Sequence, residues 1–186
     1  MSAIALHAKP SADFGNKLGN TQALLRTACE LYSPITQASS LGAEDMVITH
    51  LLHTLNLDCE VFVLQTGKLH AETLALLANV QTTYGIDRVI RVYVPDAAVA
   101  AAFEAANGTE AMYKSIALRK QCCDIRKMVP LDKALKGKNA WITGLRREQS
   151  GHRAEVPFSE REANGRVKLN PLADWSWGDV WHYIAI

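Results

Sequence analysis

Short apolar segments alternate along the chain with longer segments whose apolar residues have helical spacing. Strands are predicted at 34–38, 60–64, 88–94 and 140–143, and helices at 17–32, 44–55, 71–83, 97–106 and 121–135. Strands that alternate with helices are typical of a parallel sheet. The sequence therefore predicts an α/β fold, in which a twisted parallel sheet carries helices on both faces. Pro130 is expected to kink the last helix or to start a second one.

Polar, glycine-containing loops follow three of the predicted strands. They are residues 39–45 (SSLGAED), 65–67 (QTG) and 144–147 (GLRR). The carboxyl ends of parallel strands meet at one edge of a sheet, and ligands bind in the crevice there. The three loops together predict a binding pocket more strongly than any one of them does alone.

Length and composition fit one globular domain. The chain has 186 residues, of which 48% are hydrophobic. Residues 1–16 look like a flexible lead-in, and residues 17–186 are expected to form a single α/β domain. The net charge is +1, too small to draw the protein to nucleic acid or an anionic membrane. No segment approaches the roughly 20 apolar residues of a membrane span, and no secretory signal is recognisable. A cytoplasmic protein is expected.

The loop 39–45 has two interpretations. Because it leads from a strand into a helix, its backbone N–H groups and the hydroxyls of Ser39 and Ser40 could cradle a phosphate. Alternatively, it is an ordinary turn in which Ser and Asp cap the helix. It is not a Walker loop, since the Gly-Lys-Ser/Thr ending is absent.

Three arginines, Arg146, Arg147 and Arg153, follow the strand 140–143. Guanidinium groups bind phosphate and sulfate oxygens in a bidentate manner. A solvated charged segment is the alternative, but the position at a strand end favours oxyanion binding.

Cys122 and Cys123 are adjacent, and Arg126 and Lys127 each follow one of them by four residues. On a helix, this spacing places a cation one turn from each thiol, which would stabilise the thiolates. Zinc would need four nitrogen or sulfur ligands in a spacing that the neighbouring residues do not offer. Adjacent cysteines can instead bind two irons of one iron–sulfur cluster, which then needs two further thiolates.

Five segments, in order along the chain, resemble the assimilatory adenylyl-sulfate and phosphoadenylyl-sulfate reductases. They are 39–45 (SSLGAED), 64–70 (LQTGKLH), 122–131 (CCDIRKMVPL), 141–150 (WITGLRREQS) and 169–175 (LNPLADW). The resemblance implies an adenine nucleotide alpha hydrolase-like fold, related to the ATP pyrophosphatases. Together with the loops above, it gives a set of expected substrate-binding residues: Ser39, Ser40, Gly42, Asp45, Leu64, Thr66, Lys127, Gly144, Arg147 and Arg153.

The resemblance also implies a reaction. Members with the cysteine pair carry a 4Fe–4S cluster, here bound by Cys122 and Cys123, and generally prefer adenylyl sulfate (APS) to its 3′-phosphorylated form (PAPS). A cysteine thiolate attacks the sulfur of APS and releases AMP. Thioredoxin, or glutaredoxin, then releases sulfite from the S-sulfo-cysteine. Lys127 is expected to lie between substrate and cluster.

The chain departs from the family pattern in two ways. The nucleophilic cysteine and the second cysteine pair are expected beyond Ile186, so residues 1–186 alone are predicted to be inactive. Gln65 stands where the family usually has Asp. The alternatives are a PAPS-preferring reductase, a shortened homologue that binds nucleotide or cluster without turnover, and, more weakly, an ATP pyrophosphatase-type ligase. Formation of a homo-oligomer is left open.

Overall fold

The computed structural model describes residues 3–84, 90–153 and 155–186. Within them, six strands form one sheet: β1 (Ile35–Ser39), β2 (Glu60–Leu64), β3 (Ile90–Tyr93), β4 (Ala140–Ile142), β5 (Ser159–Arg161) and β6 (Val167–Leu169). Their order across the sheet is β3-β2-β1-β4-β6-β5. Neighbouring strands are parallel except for the antiparallel pair β5–β6. The predicted parallel α/β sheet is therefore confirmed, with an antiparallel hairpin at one edge.

The helices of the described residues are α1 (Ala3–His7), α2 (Phe14–Leu31), α3 (Ala43–Thr54), α4 (Ala71–Tyr84), α5 (Ala97–Asn107), α6 (Ile116–Cys123), α7 (Val129–Leu135) and α8 (Trp177–Ala185). None of them is long and apolar enough to cross a membrane. Most predicted elements begin and end within three residues of the observed ones. Of the predicted strand 88–94, residues 88 and 89 lie outside the described residues.

Side chains of β2 show how helices cover both faces of the sheet. Val61 belongs to the main hydrophobic core, which includes Leu25 of α2, Ile48 of α3 and Val180 of α8. Phe62 points to the opposite face and packs with Ala134 and Leu135 of α7. Successive residues of a strand point to opposite faces, so a strand that is buried on both sides is apolar throughout. The prediction of helices on both faces is confirmed.

The predicted helix 121–135 is two helices, joined by one π-helical turn at Asp124–Met128. Pro130 lies in the first turn of α7, which confirms that it starts a second helix. Proline has no N–H to donate within a helix, so it is tolerated in a first turn. The N–H of Val129 reaches back five residues to the Asp124 carbonyl, which widens the backbone just after the two cysteines.

The N-terminal segment lies against α8. The Ser11 N–H donates a 2.6 Å hydrogen bond to Asp179 Oδ1, and the Lys17 ammonium lies 3.2 Å from Asp179 Oδ2. Lys9 approaches Gly178 so closely that a Cβ added to the glycine would lie 1.9 Å from the Lys9 carbonyl oxygen. Helix α2 begins at Phe14, three residues before the predicted start. The domain boundary at residue 17 stays a prediction.

Candidate functional site

A cavity of about 420 Å³ opens at the carboxyl edge of the sheet. Among the predicted site residues, those that line it are Ser39, Ser40, Asp45, Leu64, Thr66, Lys127, Gly144 and Arg153. They come from the loops after β1, β2 and β4 and from the segment that follows the cysteine pair. Parallel strand direction brings them together, as the positions of the three loops predicted.

The loop after β1 is organised by Asp45, in the first turn of α3. One carboxylate oxygen accepts hydrogen bonds from the Ser40 N–H at 2.7 Å and from the Ser40 hydroxyl at 2.6 Å. Burial raises the pKa of the Asp45 carboxyl, although these bonds and one from the Gly144 N–H act in the opposite direction. The carboxylate thus folds the loop into a fixed turn at the N-terminus of a 12-residue helix, where free N–H groups favour an anion.

Gly144 allows the loop after β4 to contact this turn. A Cβ added at residue 144 would lie 2.5 Å from Asp45 Oδ1 and 2.9 Å from the Glu44 Cβ. No side chain fits at these distances unless the loop after β4 or the first turn of α3 moves. The glycine therefore brings the ends of β1 and β4 into direct contact at the cavity.

The loop after β2 is held by a residue of the π-helical turn. Arg126 is buried, and its Nη1 donates a 2.7 Å hydrogen bond to the Thr66 carbonyl oxygen. Its Nη2 lies 2.8 Å from Glu104 of α5, which also pairs with Lys68 at 3.0 Å. Gly67 has a φ of +75°, and an added Cβ would lie 2.9 Å from Arg126 Nη1. Both its conformation and this close approach require glycine there.

Two cations that line the cavity have no carboxylate partner in the part of the chain that the structure describes. They are Lys127 and Arg153, and both are exposed. By contrast, Arg146 is buried and pairs with Glu44 at 3.0 Å. The carboxylates at the cavity are already engaged, Glu44 by Arg146 and Asp45 by Ser40. The exposed charges of Lys127 and Arg153 therefore favour an anionic ligand.

Two predicted site residues do not line the cavity. Gly42 caps the N-terminus of α3. Arg147 points away: its Nε donates a 2.9 Å hydrogen bond to the Val156 carbonyl oxygen, and its guanidinium lies 5.0 Å from the centre of the Phe158 ring. The two adjacent arginines beyond the end of β4 point to different sides. Arg146 is directed towards Glu44 of α3, and Arg147 is directed away from the cavity.

The cysteine pair has one buried and one exposed thiol. Cys122 packs in a small cluster with Phe103 and Ala111, whereas Cys123 is exposed. The prediction that Arg126 supports a thiolate from one turn away is wrong, because its guanidinium is directed to Thr66 and Glu104. Arg126 lies within the π-helical turn Asp124–Met128, where the wider backbone changes the faces that a regular helix would give to its side chains.

The other two cysteines are built into the core of the sheet. Cys59 belongs to the main hydrophobic cluster, and Cys29 packs against it. The described residues contain no group of three or more His, Cys, Asp or Glu side chains that could hold a metal ion. Cluster binding by Cys122 and Cys123 therefore stays a prediction.

Sequence reasoning missed several residues that line the cavity. The polar ones are Glu44, Thr143 and Gln149, and the apolar ones are Ala38, Phe62, Val63, Leu69, Leu131, Trp141 and Leu145. From the sequence, Glu44 is indistinguishable from any acidic residue in the first turn of a helix. Five of the apolar residues lie in predicted strands and helices, and Leu69 and Leu145 lie in predicted loops, where only the polar neighbours indicated binding. Gln149 lies two residues after Arg147, and this position near the arginines was the one available signal.

Residues 34–186 match the phosphoadenosine phosphosulfate reductase domain family, and the chain belongs to this family. It is 44% identical over 169 residues to adenosine 5′-phosphosulfate reductase of Burkholderia cepacia, an alignment that covers 90% of this chain and 67% of the relative. It is 45% identical to the Allochromatium vinosum enzyme of the same name, and this alignment covers 87% of this chain and 62% of the relative. It is 49% identical to the enzyme of that name from Neisseria meningitidis serogroup A, and this alignment covers 79% of this chain and 60% of the relative. The chain thus spans about 60–67% of the length of these relatives.

The fold is similar to that of phosphoadenylyl-sulfate reductase from Candida auris, solved as a phosphate complex. The TM-score is 0.76, with 22% sequence identity, and the alignment covers all of this chain and 86% of the other. This likeness establishes the fold. The adenine nucleotide alpha hydrolase-like architecture implied by the sequence resemblance is in keeping with it.

Proposed function

We propose that the cavity binds adenylyl sulfate, and that the chain is the nucleotide-binding part of an enzyme that reduces it to sulfite and AMP in sulfate assimilation. One observation carries the proposal: a serine-containing turn at a helix N-terminus lines the same cavity as Lys127 and Arg153, two cations without a carboxylate partner among the described residues. The names of the relatives support APS rather than PAPS as the substrate.

Each part of the cavity suits a different part of the ligand. The half-buried Leu64 and Leu131 side chains offer an apolar surface for the adenine ring. The Ser39 hydroxyl and the two cations offer donors for the phosphosulfate oxygens. Donors directed at the leaving phosphate would also stabilise the negative charge that develops there when the S–O bond breaks.

A thiolate would attack the sulfur of APS, form an S–S bond and displace AMP. None of the cysteines in residues 1–186 lines the cavity. We therefore propose that the attacking thiolate is supplied by a cysteine other than these four. A dithiol donor of the thioredoxin or glutaredoxin type would then release sulfite and become a disulfide, and such a donor fits a cytoplasmic location.

We also propose that Cys122 and Cys123 hold two irons of a 4Fe–4S cluster, with two further thiolates from outside these four cysteines. When bound, the cluster supplies an anionic, electron-rich centre next to the segment that carries Lys127. Iron and acid-labile sulfide analysis tests this. The metal content should be lost in Cys122→Ser and in Cys123→Ser and kept in Cys29→Ser; metal that persists in both of the first two variants would reject the assignment.

The function is tested by calorimetric titration of the protein with AMP, APS and adenosine. We expect Lys127→Met and Arg153→Met each to weaken AMP and APS binding about tenfold, as the loss of one charge-assisted contact predicts. Adenosine binding should change less than about twofold. Lys133→Met is the matched control, because Lys133 is exposed on α7 and does not line the cavity. A protein that binds none of the three ligands would refute the proposal.

A homologue that binds nucleotide without turnover is the second candidate, favoured by the absence of a cysteine from the cavity lining. Sulfite release from APS with reduced thioredoxin distinguishes the two. Residues 1–186 should release none. The protein with the additional segment that its relatives contain should release sulfite if the chain is part of a reductase, and should release none if it is only a binding protein.

A further inference from the structure

The side chain of Gln149 joins three other residues at the edge of the cavity. Its carbonyl oxygen accepts hydrogen bonds from Arg153 Nη1 and, at 3.3 Å, from the Arg146 N–H. Its amide nitrogen donates a 3.0 Å bond to Glu44 Oε1. Gln149 therefore connects an unneutralised cation of the cavity to the first turn of α3.

The orientation of this amide is fixed by Glu44. A carboxylate only accepts hydrogen bonds, so the NH₂ group of Gln149 must face it and the carbonyl oxygen must face Arg153. The carboxylate is itself held by Arg146, whose Nε lies 3.0 Å from Glu44 Oε1. Arg146 also donates to the Trp175 carbonyl oxygen at 3.2 Å and has only 4% of its surface exposed. Arg146 and Glu44 therefore hold the Gln149 amide in a fixed orientation.

Because the Gln149 amide is neutral, it can hold the Arg153 guanidinium without neutralising its charge. The residue lies in the short 3₁₀ turn Gly151–Arg153 and is exposed, and a free arginine side chain loses considerable rotamer entropy when it binds a ligand. A glutamate at position 149 would hold the guanidinium but would neutralise it. The amide holds the guanidinium and leaves its charge available for an anion.

We propose that Gln149 is a positioning residue, which holds the Arg153 guanidinium against the cavity so that it meets the phosphate or sulfate oxygens of the bound nucleotide. This inference rests on the proposed function, since it assigns the anion to that site. Gln149 acts through Arg153, and the two residues should therefore behave as one unit in binding.

A double-mutant cycle on AMP binding tests the proposal. Gln149→Met keeps the length of the side chain and removes its polar atoms. It should weaken AMP binding about 5- to 10-fold, in keeping with the loss of a preorganised charged donor, and should change adenosine binding less than about twofold. In the Arg153→Met background, the same substitution should have no further effect on AMP. Gln81→Met, an exposed glutamine on α4, is the control and should bind AMP as the wild type does.

The outcomes separate the two proposals. Wild-type protein that fails to bind AMP rejects the proposed function itself. AMP binding by the wild type with unchanged affinity in Gln149→Met overturns the positioning role and leaves the function standing. Additive effects of the two substitutions, or an equal loss of adenosine affinity, also overturn it. If Gln149→Met does not fold, Gln149→Ser replaces it in the double-mutant cycle. Thermal unfolding shows whether each variant is folded.

Discussion

The Arg126 guanidinium donates a 2.7 Å hydrogen bond to the main-chain oxygen of Thr66, across 60 residues of sequence. This bond joins the π-helical turn after the cysteine pair to the loop after β2. Thr66 lines the cavity, and Arg126 lies three residues after Cys123. The buried Arg126 side chain therefore ties the cysteine segment to the wall of the cavity.

Replacement of Arg126 by Met should destabilise the protein. The substitution leaves the Thr66 carbonyl oxygen without its donor and removes one of the two cationic partners of Glu104. Buried interactions of this kind stabilise by about 2 kcal/mol, which for a chain of this length lowers Tm by about 4–8 °C. Thermal unfolding followed by circular dichroism measures the change.

Lys68→Met is the matched control, because Lys68 pairs with the same carboxylate while about a third of its side chain is exposed (36%). Exposed ion pairs contribute less than about 1 kcal/mol. A loss of stability equal to that of Arg126→Met would show that the Glu104 pair, and not the bond to Thr66, accounts for the effect.

Gly144→Ala should damage both stability and ligand binding. Its new methyl group would overlap Asp45 Oδ1 at 2.5 Å, so either the β4 loop or the first turn of α3 must move. Overpacking of this kind costs about 1–3 kcal/mol, and we expect AMP affinity to fall at least about tenfold. Urea unfolding and titration calorimetry measure the two effects.

The comparison for this variant is Gly19→Ala in the interior of α2. Nothing lies within 4 Å of a Cβ added there, and alanine is favoured over glycine in helices by about 0.5–1 kcal/mol. The two alanine substitutions should therefore have opposite signs. Equal stability of Gly144→Ala and the wild type would contradict the close contact of the two loops.

Much of the fold and the outline of the site could be predicted, because they depend on local pattern. Strand–helix alternation predicts a parallel sheet, and parallel strands bring their carboxyl ends together. The β5–β6 hairpin was missed because Ser159–Arg161 is exposed throughout, and because the apolar alternation of Val167–Leu169 covers only three residues. A three-residue strand at a sheet edge leaves almost no trace in a single sequence.

The roles of the arginines could not be predicted for a different reason. Arg146 and Arg147 are adjacent and chemically identical, yet one is buried against Glu44, 102 residues away, and the other lies on Phe158. The partner of a long polar side chain is decided by tertiary packing, which local spacing does not encode. The same holds for Arg126, whose expected position beside a thiol assumed a regular helix.

The cysteines should differ in their rate of alkylation in iron-free protein. Cys123 is exposed, Cys29 is half-buried, and Cys122 and Cys59 are buried. Because iodoacetamide must reach the sulfur, Cys123 should react first and Cys59 among the last. Peptide mass spectrometry over time gives the order, and unfolded protein, in which all four should react, provides the reference. Equal rates for Cys122 and Cys123 would contradict the packing of Cys122 against Phe103.

Asp179 should make stability depend on acid pH. Burial disfavours its charged form, but hydrogen bonds from Ser11 and Ser176 outweigh this effect and lower the pKa from 3.8 to about 2. A carboxyl with a lowered pKa in the folded state stabilises the protein above its unfolded pKa, and this contribution is lost as pH falls from about 4 towards 2. The shift corresponds to about 2 kcal/mol at neutral pH.

Urea unfolding of Asp179→Asn from pH 7 to pH 3 tests this sign. The variant should be less stable than the wild type at pH 7, because asparagine cannot supply the charged acceptor that Ser11, Lys17 and Ser176 contact. The difference should shrink as the pH falls, since the wild-type carboxyl then takes up a proton. Asp132→Asn, on the exposed side of α7, should follow the wild type throughout. If the difference in free energy of unfolding between Asp179→Asn and the wild type stayed constant from pH 7 to pH 3, the charge of Asp179 would not contribute to it. The N-terminal segment would then be held to α8 by the geometry of these contacts alone.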